Sequence, residues 1–206
     1  MGGGRSNYGR VVGIVGLSHT GRRVAHLLRS FDLTVLASDP YATEADAQAL
    51  GTTLVSLPDL LHRRDIVTLH APSLPETRNL LNADRLALLP DHATVINTAR
   101  GSLIDTGALT AECVSGRLSA ILDVTDPEPL PVDSPLFGLP NVQLTPHIAG
   151  AMGTEVHRLG RGRPRRTRAV RQGAASGVPD PYARPRPHRI TRPAAGRRSP
   201  VAESPG

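Results

Sequence analysis

The sequence predicts an open α/β fold: a doubly wound parallel sheet with helices on both faces. Three observations predict it. Short apolar, β-branched runs recur along the chain up to about residue 147, most followed by a segment with helical spacing. The first run ends in a glycine turn that opens into a helix. Polar residues able to do chemistry fall just past the ends of later runs, at the edge where open α/β sheets bind ligands.

Val11-Val12-Gly13-Ile14-Val15 reads as a buried first strand. Gly16-Leu17-Ser18-His19-Thr20-Gly21 follows, then Val24, Ala25, Leu27 and Leu28 at helical spacing. This is the order of a dinucleotide-binding turn, with Ser18 in place of the second glycine. Small residues are needed there because the backbone must approach a pyrophosphate, which the free N–H groups of a helix N-terminus stabilise. Leu33 to Ser38 reads as the second strand. Asp39 ends it at the position of the acid that accepts bonds from an adenosine ribose; the alternative is a turn-forming Asp before Pro40.

Ala45 to Leu50 reads as a short helix, and Thr52 to Val55 as a short strand. Ser56 reads as the cap of a helix from Leu57 to Arg63. Asp65 to Leu69 is a further strand, leading into His70-Ala71-Pro72. No partner for His70 lies nearby in the sequence, so it reads as structural. Asn82 caps Ala83 to Leu89, and Pro90-Asp91 turns into the next strand.

The stretch from Thr94 to Asp105 organises the second half. Its apolar start is a strand; its polar turn carries Arg100; Thr106 reads as the N-cap of the next helix. An arginine at that edge can fork two hydrogen bonds onto a carboxylate. The alternative is an arginine paired with a surface acid. Leu118 to Val124 is then a strand, Asp126-Pro127-Glu128-Pro129 a loop, and Asn141 to His147 a last short strand. Arg100, Asp123, Glu128 and His147 thus arrive at one edge from three strands, a plausible catalytic constellation.

Composition limits the options. With 206 residues, 39% hydrophobic but 2% aromatic, the core must be Leu, Val, Ile and Ala. No apolar run is long enough for a membrane span, and no signal-peptide pattern opens the chain. Cys113 is alone and cannot form an internal disulfide, which fits a reducing, cytoplasmic setting. The net charge of +6 is unevenly placed: residues 1–157 hold 11 Arg and 16 acids, residues 158–206 hold 13 Arg and two acids. The body is therefore mildly acidic and offers no footprint for nucleic acid.

The runs GIVGLSHTGRRVA, SDPY, HAPSLPET, INTARGSLID, LDVTDPEP and LPNVQLTPHIAG, in this order, resemble the D-isomer-specific 2-hydroxyacid dehydrogenases over about residues 9–153. The resemblance implies a Rossmann-type domain that binds NAD and a small 2-hydroxy or 2-oxo acid, without a metal. It implies that Arg100 orients the substrate, that His147 is the general acid/base and that Glu128 holds the imidazole. It places Gly16, Ser18, His19, Thr20, Gly21, Asp39, Ala71, Pro72, Thr98, Ala99, Arg100, Asp123, His147 and Gly150 around the cofactor. His19 and Thr20 would meet the pyrophosphate through their backbone, and Asp123 would lie near the nicotinamide. The intact family form is expected to be a homodimer. A cofactor-binding module or regulator without turnover is the alternative reading.

Two departures stand out. Ten residues precede the first strand, so the family's N-terminal substrate lobe is expected to be absent from this chain. Residues 158–206 contain 34 Arg, Pro, Gly or Ala out of 49, a composition that predicts a disordered tail. The 24 Arg and absence of Lys suggest a GC-rich gene, of which a frame-shifted reading would give such a tail. A basic nucleic-acid-binding arm is the functional alternative.

Overall fold

The structure, a computed structural model, describes residues 6–156, all within the unit Met1–Pro164. The tail expected from residue 158, and the domain boundary expected at 157, lie outside these residues. Seven strands form one sheet: β1 (Val11–Val15), β2 (Thr34–Ser38), β3 (Thr53–Leu54), β4 (Ile66–Leu69), β5 (Thr94–Asn97), β6 (Ser119–Leu122) and β7 (Val142–Leu144). Their order is β3-β2-β1-β4-β5-β6-β7, and every pairing is parallel. The order reverses between β1 and β4, which makes the gap beyond their carboxyl ends the switch-point crevice.

Among the described residues five helices connect the strands: α1 (His19–Leu28), α2 (Glu44–Ala49), α3 (Leu57–His62), α4 (Ala83–Ala87) and α5 (Thr106–Val114). Alternation along each strand divides the core in two. Ile14, Val35 and Ala37 pack with Ala25 of α1, while Val15, Leu36, Val67 and Val95 pack with the layer of α3, α4 and α5. Helices of six and five residues do not hold in isolation. Leu60 and Leu61 of α3 and Leu86 of α4 are fully buried. Each contributes about 1.5–3 kcal/mol, so packing rather than propensity holds these helices. As the composition requires, the buried hydrophobic side chains are aliphatic apart from Cys113, and Tyr8, Phe31, Tyr41 and Phe137 are exposed.

The expected caps are present at Ser56, which accepts from Asp59 N–H, and at Asn82, which accepts from Arg85 N–H. One expectation is corrected. Thr106 does not cap α5; Asp105 does, accepting from Ala108 N–H at 3.0 Å. Thr106 is the first helical residue, and its hydroxyl donates to the Asp126 carbonyl at 2.7 Å. Both are good cap types. The long-range bond from the Thr106 hydroxyl decides between them, and no local pattern announces it. Strands β2, β3, β4, β6 and β7 are shorter than the runs expected for them, and four 3-10 turns among the described residues, including Gly101–Leu103, carry no periodic pattern to find them by.

Candidate functional site

At the end of β1 the chain must turn sharply beneath the loop after β4. Gly16 has φ +93°, and a Cβ there would lie 2.7 Å from the Ala71 backbone nitrogen. A Cβ on Gly21 would run into the Gly16 carbonyl oxygen. Only glycine fits such positions. Ser18 caps α1, its hydroxyl oxygen accepting from Gly21 N–H at 3.3 Å. The hydroxyl thus serves the helix as acceptor, while its hydrogen stays available to a ligand. His19 and Thr20 open the helix and are exposed, as backbone donors to an anion must be.

Asp39, just past β2, holds this turn. Its Oδ2 accepts from Leu17 N–H at 2.7 Å and its Oδ1 from Tyr41 N–H at 2.8 Å. The acid proposed for the ribose is thus also the brace of the glycine turn, with one backbone donor on each oxygen. His70 lies under the α1 N-terminus with 7% exposure, its Nε2 3.1 Å from the Thr68 hydroxyl. Burial pushes its pKa down to about 4, so it is neutral. The structural role expected for it agrees with this placement. Ala71 is buried against Gly16, and Pro72 is exposed beside it.

At the end of β5, Asn97 is 1% exposed and shapes the arginine turn. Its Oδ1 accepts from Ala99 N–H at 3.1 Å, and its Nδ2 donates to the Arg100 carbonyl at 2.8 Å. The side chain of Arg100 is exposed and meets no carboxylate among the described residues. Thr98 is exposed, and Ala99 half-buried, in the same turn.

Beyond β6 and β7 lies the third cluster. His147 Nδ1 is 2.6 Å from Glu128 Oε1, an opposite-charge hydrogen bond when the ring is protonated. His147 has φ +55°, an uncommon left-handed conformation for a residue other than glycine. Asp123 holds it there. Its carboxylate accepts from the Thr145 hydroxyl, from Ile148 N–H at 2.8 Å and from Ala149 N–H at 2.8 Å. Burial alone would raise the Asp123 pKa. The donors of Thr145, Ala149 and Ile148, with His147 nearby, outweigh it and hold the carboxyl below the usual range. Both oxygens are thus engaged with the His147 segment, a bracing role that comes before any contact with a nicotinamide. A cavity of about 660 Å³ backs the pair, walled by Leu122, Leu130, Phe137 and Leu144. Gly150 is exposed, and nothing lies near where its Cβ would be.

The residues singled out in the sequence thus come together along one edge of the sheet. Asn97 and Thr145 were missed. An asparagine ending an apolar run is a weak sign of a side-chain-closed turn; Thr145 carries no local sign at all. Among the described residues no cluster of His, Cys, Asp and Glu could hold a metal ion, and no helix is long and apolar enough to cross a membrane.

The cradle of Gly16 and Gly21, the open N-terminus of α1 and the carboxylate after β2 fit a dinucleotide. Comparison with known proteins agrees. Residues 2–149 match the family model described as D-isomer specific 2-hydroxyacid dehydrogenase, NAD binding domain. A D-3-phosphoglycerate dehydrogenase of Mycobacterium bovis is 40% identical over 158 residues, which span 76% of this chain and 30% of that protein. The apo structure of Rhodotorula graminis D-mandelate dehydrogenase is 32% identical with a TM-score of 0.70, over 76% of this chain and 46% of that one. The D-lactate dehydrogenase of Lactobacillus jensenii, solved with NAD+, is 29% identical with a TM-score of 0.72, over 82% of this chain and 54% of that one. The chain spans 27–30% of the length of the curated relatives it matches. From the sheet order, the glycine cradle and these matches, the chain belongs to the D-isomer-specific 2-hydroxyacid dehydrogenases and carries their NAD-binding domain.

Proposed function

We propose that residues 1–157 form the nucleotide half of an oxidoreductase that interconverts a 2-hydroxy acid and its 2-oxo acid. The observation that carries this is the 2.6 Å contact of Glu128 with His147, on the sheet edge that also bears the exposed side chain of Arg100, whose Nη1 donates to the Ala99 carbonyl. When bound, NAD(H) supplies or accepts the hydride. Gly16, Ser18, His19, Thr20 and Gly21 hold the pyrophosphate, Asp39 the ribose, and Ala71, Pro72, Thr98, Ala99, Asp123 and Gly150 flank the rest. Arg100 binds the substrate carboxylate with its planar fork. His147 gives a proton to the substrate oxygen, or takes one from it, at Nε2, while Glu128 accepts a hydrogen bond from Nδ1–H and orients the ring. A carboxylate at Asp39 also favours NAD(H) over NADP(H), since it would repel a 2′-phosphate. We place the protein in the cytoplasm, as a homodimer in its intact form; the single buried Cys113 suits a reducing compartment.

The 206-residue polypeptide alone should bind NADH and turn over little. Arg100 clamps the carboxylate from one side, water stays in the site, and positioning is loose. A calorimetric NADH titration beside an NADH-oxidation assay on a panel of 2-oxo acids tests both halves of this reading. Absence of NADH binding defeats the cofactor assignment. Robust turnover by this polypeptide defeats the need for a further covering element.

A further inference from the structure

Two segments carry the chemistry proposed above, and both lie outside regular strands and long helices. The Arg100 turn is gripped on one side by segment 73–81. The hydroxyls of Ser73 and Ser102 are 2.9 Å apart. Asn79 N–H donates to the Ser102 carbonyl at 2.8 Å and Leu81 N–H to the Leu103 carbonyl at 2.9 Å. On its other side the turn lies against segment 125–128. Gly101 is buried there, and a Cβ on it would collide with the Thr125 carbonyl. The Thr106 hydroxyl donates to the Asp126 carbonyl at 2.7 Å. One ion pair joins the two outer segments: Arg78 Nη2 lies 3.2 Å from Asp126 Oδ2. Asp126 is therefore held at both its carbonyl and its carboxylate. Glu128, the acid on His147, follows two residues later.

We propose that Arg78, acting through Asp126, is a positioning residue: it fixes the segment bearing Glu128 and so determines which nitrogen of His147 carries the proton. This rests on the acid–base reading of Glu128 and His147. Arg78 and Asp126 are 64% and 38% exposed, and ion pairs so open to water add little stability. What the pair supplies is geometry. With Asp126 released, segment 125–128 keeps the Thr106 bond but loses its tie to segment 73–81. The contact between His147 Nδ1 and Glu128 Oε1 then loosens, and the proton of the neutral ring is no longer confined to Nδ1.

Nitrogen NMR of the 206-residue chain with 15N-labelled histidine, at alkaline pH, reads this tautomer directly; a His147→Gln spectrum assigns the resonances. Wild type and Arg78→Lys should hold the Nδ1–H form. Arg78→Met, and Asp126→Asn from the other side of the pair, should shift His147 toward Nε2–H. The melting temperature should move by no more than about 4 °C. A wild-type tautomer in both Arg78→Met and Asp126→Asn overturns the proposal. Glu128→Gln separates the two readings. If it alone moves the tautomer, the Arg78 tie fails and the acid–base pair stands. If it does not, the pair is not formed and both readings fall.

Discussion

Beyond β1, Gly16 and Gly21 are buried, Ser18 caps the helix it opens, and Asp39 ties the turn to β2. Beyond β7, the His147 and Glu128 side chains are half exposed, at 50% and 45%, and their segments are held by side chains far away in sequence. The first region is built mostly from one stretch of chain whose residues must be small. The second is an assembly of loops from β4, β5, β6 and β7, joined by Asp123, Asp126 and Thr106. The difference suits the two tasks proposed for them. Binding an invariant pyrophosphate asks for a preformed backbone shape. Moving a proton asks for a polar ring that solvent and substrate can reach, so its supports must come from behind.

If the regions are as separate as this, changes in them should fail in different ways. The largest effect belongs to His147→Ala. In any form of the protein that turns over 2-oxo acids, it should cut kcat by about 10²–10⁴-fold and leave NADH affinity and melting temperature nearly unchanged. Steady-state kinetics beside calorimetry would decide; unchanged turnover would mean that the acid lies elsewhere.

Gly21→Ala should do the reverse. Its Cβ meets the Gly16 carbonyl, an overpacked contact that costs about 3 kcal/mol, and it spoils the cradle. Urea unfolding should show the loss, and NADH binding should fall by more than about tenfold with it. A variant that binds NADH normally would remove the glycine cradle from the cofactor reading.

His70 lies between the two regions and supplies a pH dependence. Its ring is held neutral with a pKa near 4, against about 6.5 when unfolded. Between these values the unfolded chain binds the extra proton, so stability rises with pH across that window and is lost as pH falls through it. The loss from this residue should reach about 2 kcal/mol at pH 5 relative to pH 7. Unfolding curves at the two pH values should show a smaller difference in His70→Gln; an equal difference would exclude His70 as the cause.

The smallest effect tests whether stability can change while both sites stay intact. Arg64 is 2% exposed; its Nη1 donates to the Leu60 carbonyl at 3.0 Å, while Nε and Nη2 find no partner among the described residues. Burial lowers its pKa to about 10, against the pull of Asp65. Arg64→Met should raise stability by about 1 kcal/mol without altering NADH affinity or the His147 tautomer. Destabilisation would reveal a partner for those nitrogens.

The sequence by itself determined what acts over a few residues. Apolar runs of four or five residues and the segments between them specify a wound parallel sheet. Gly16 and Gly21 mark a turn that no side chain fits, and the caps Ser56 and Asn82 satisfy N–H groups three residues on. Tertiary structure alone decided what depends on which strands become neighbours. Nothing local to Asp123 says that its carboxylate will brace residues 145–149, reached only because β6 pairs with β7. Nothing local to Thr106 says that its hydroxyl will bond Asp126 while Asp105 takes the cap. The same holds for Arg78 on Asp126, since a loop after β4 meets a loop after β6 only across β5. Hydrogen bonds fall off within fractions of an ångström, so their partners follow from the packed arrangement of the sheet. Hydrophobic periodicity and turn chemistry need no such precision, and they can be read before the chain is folded.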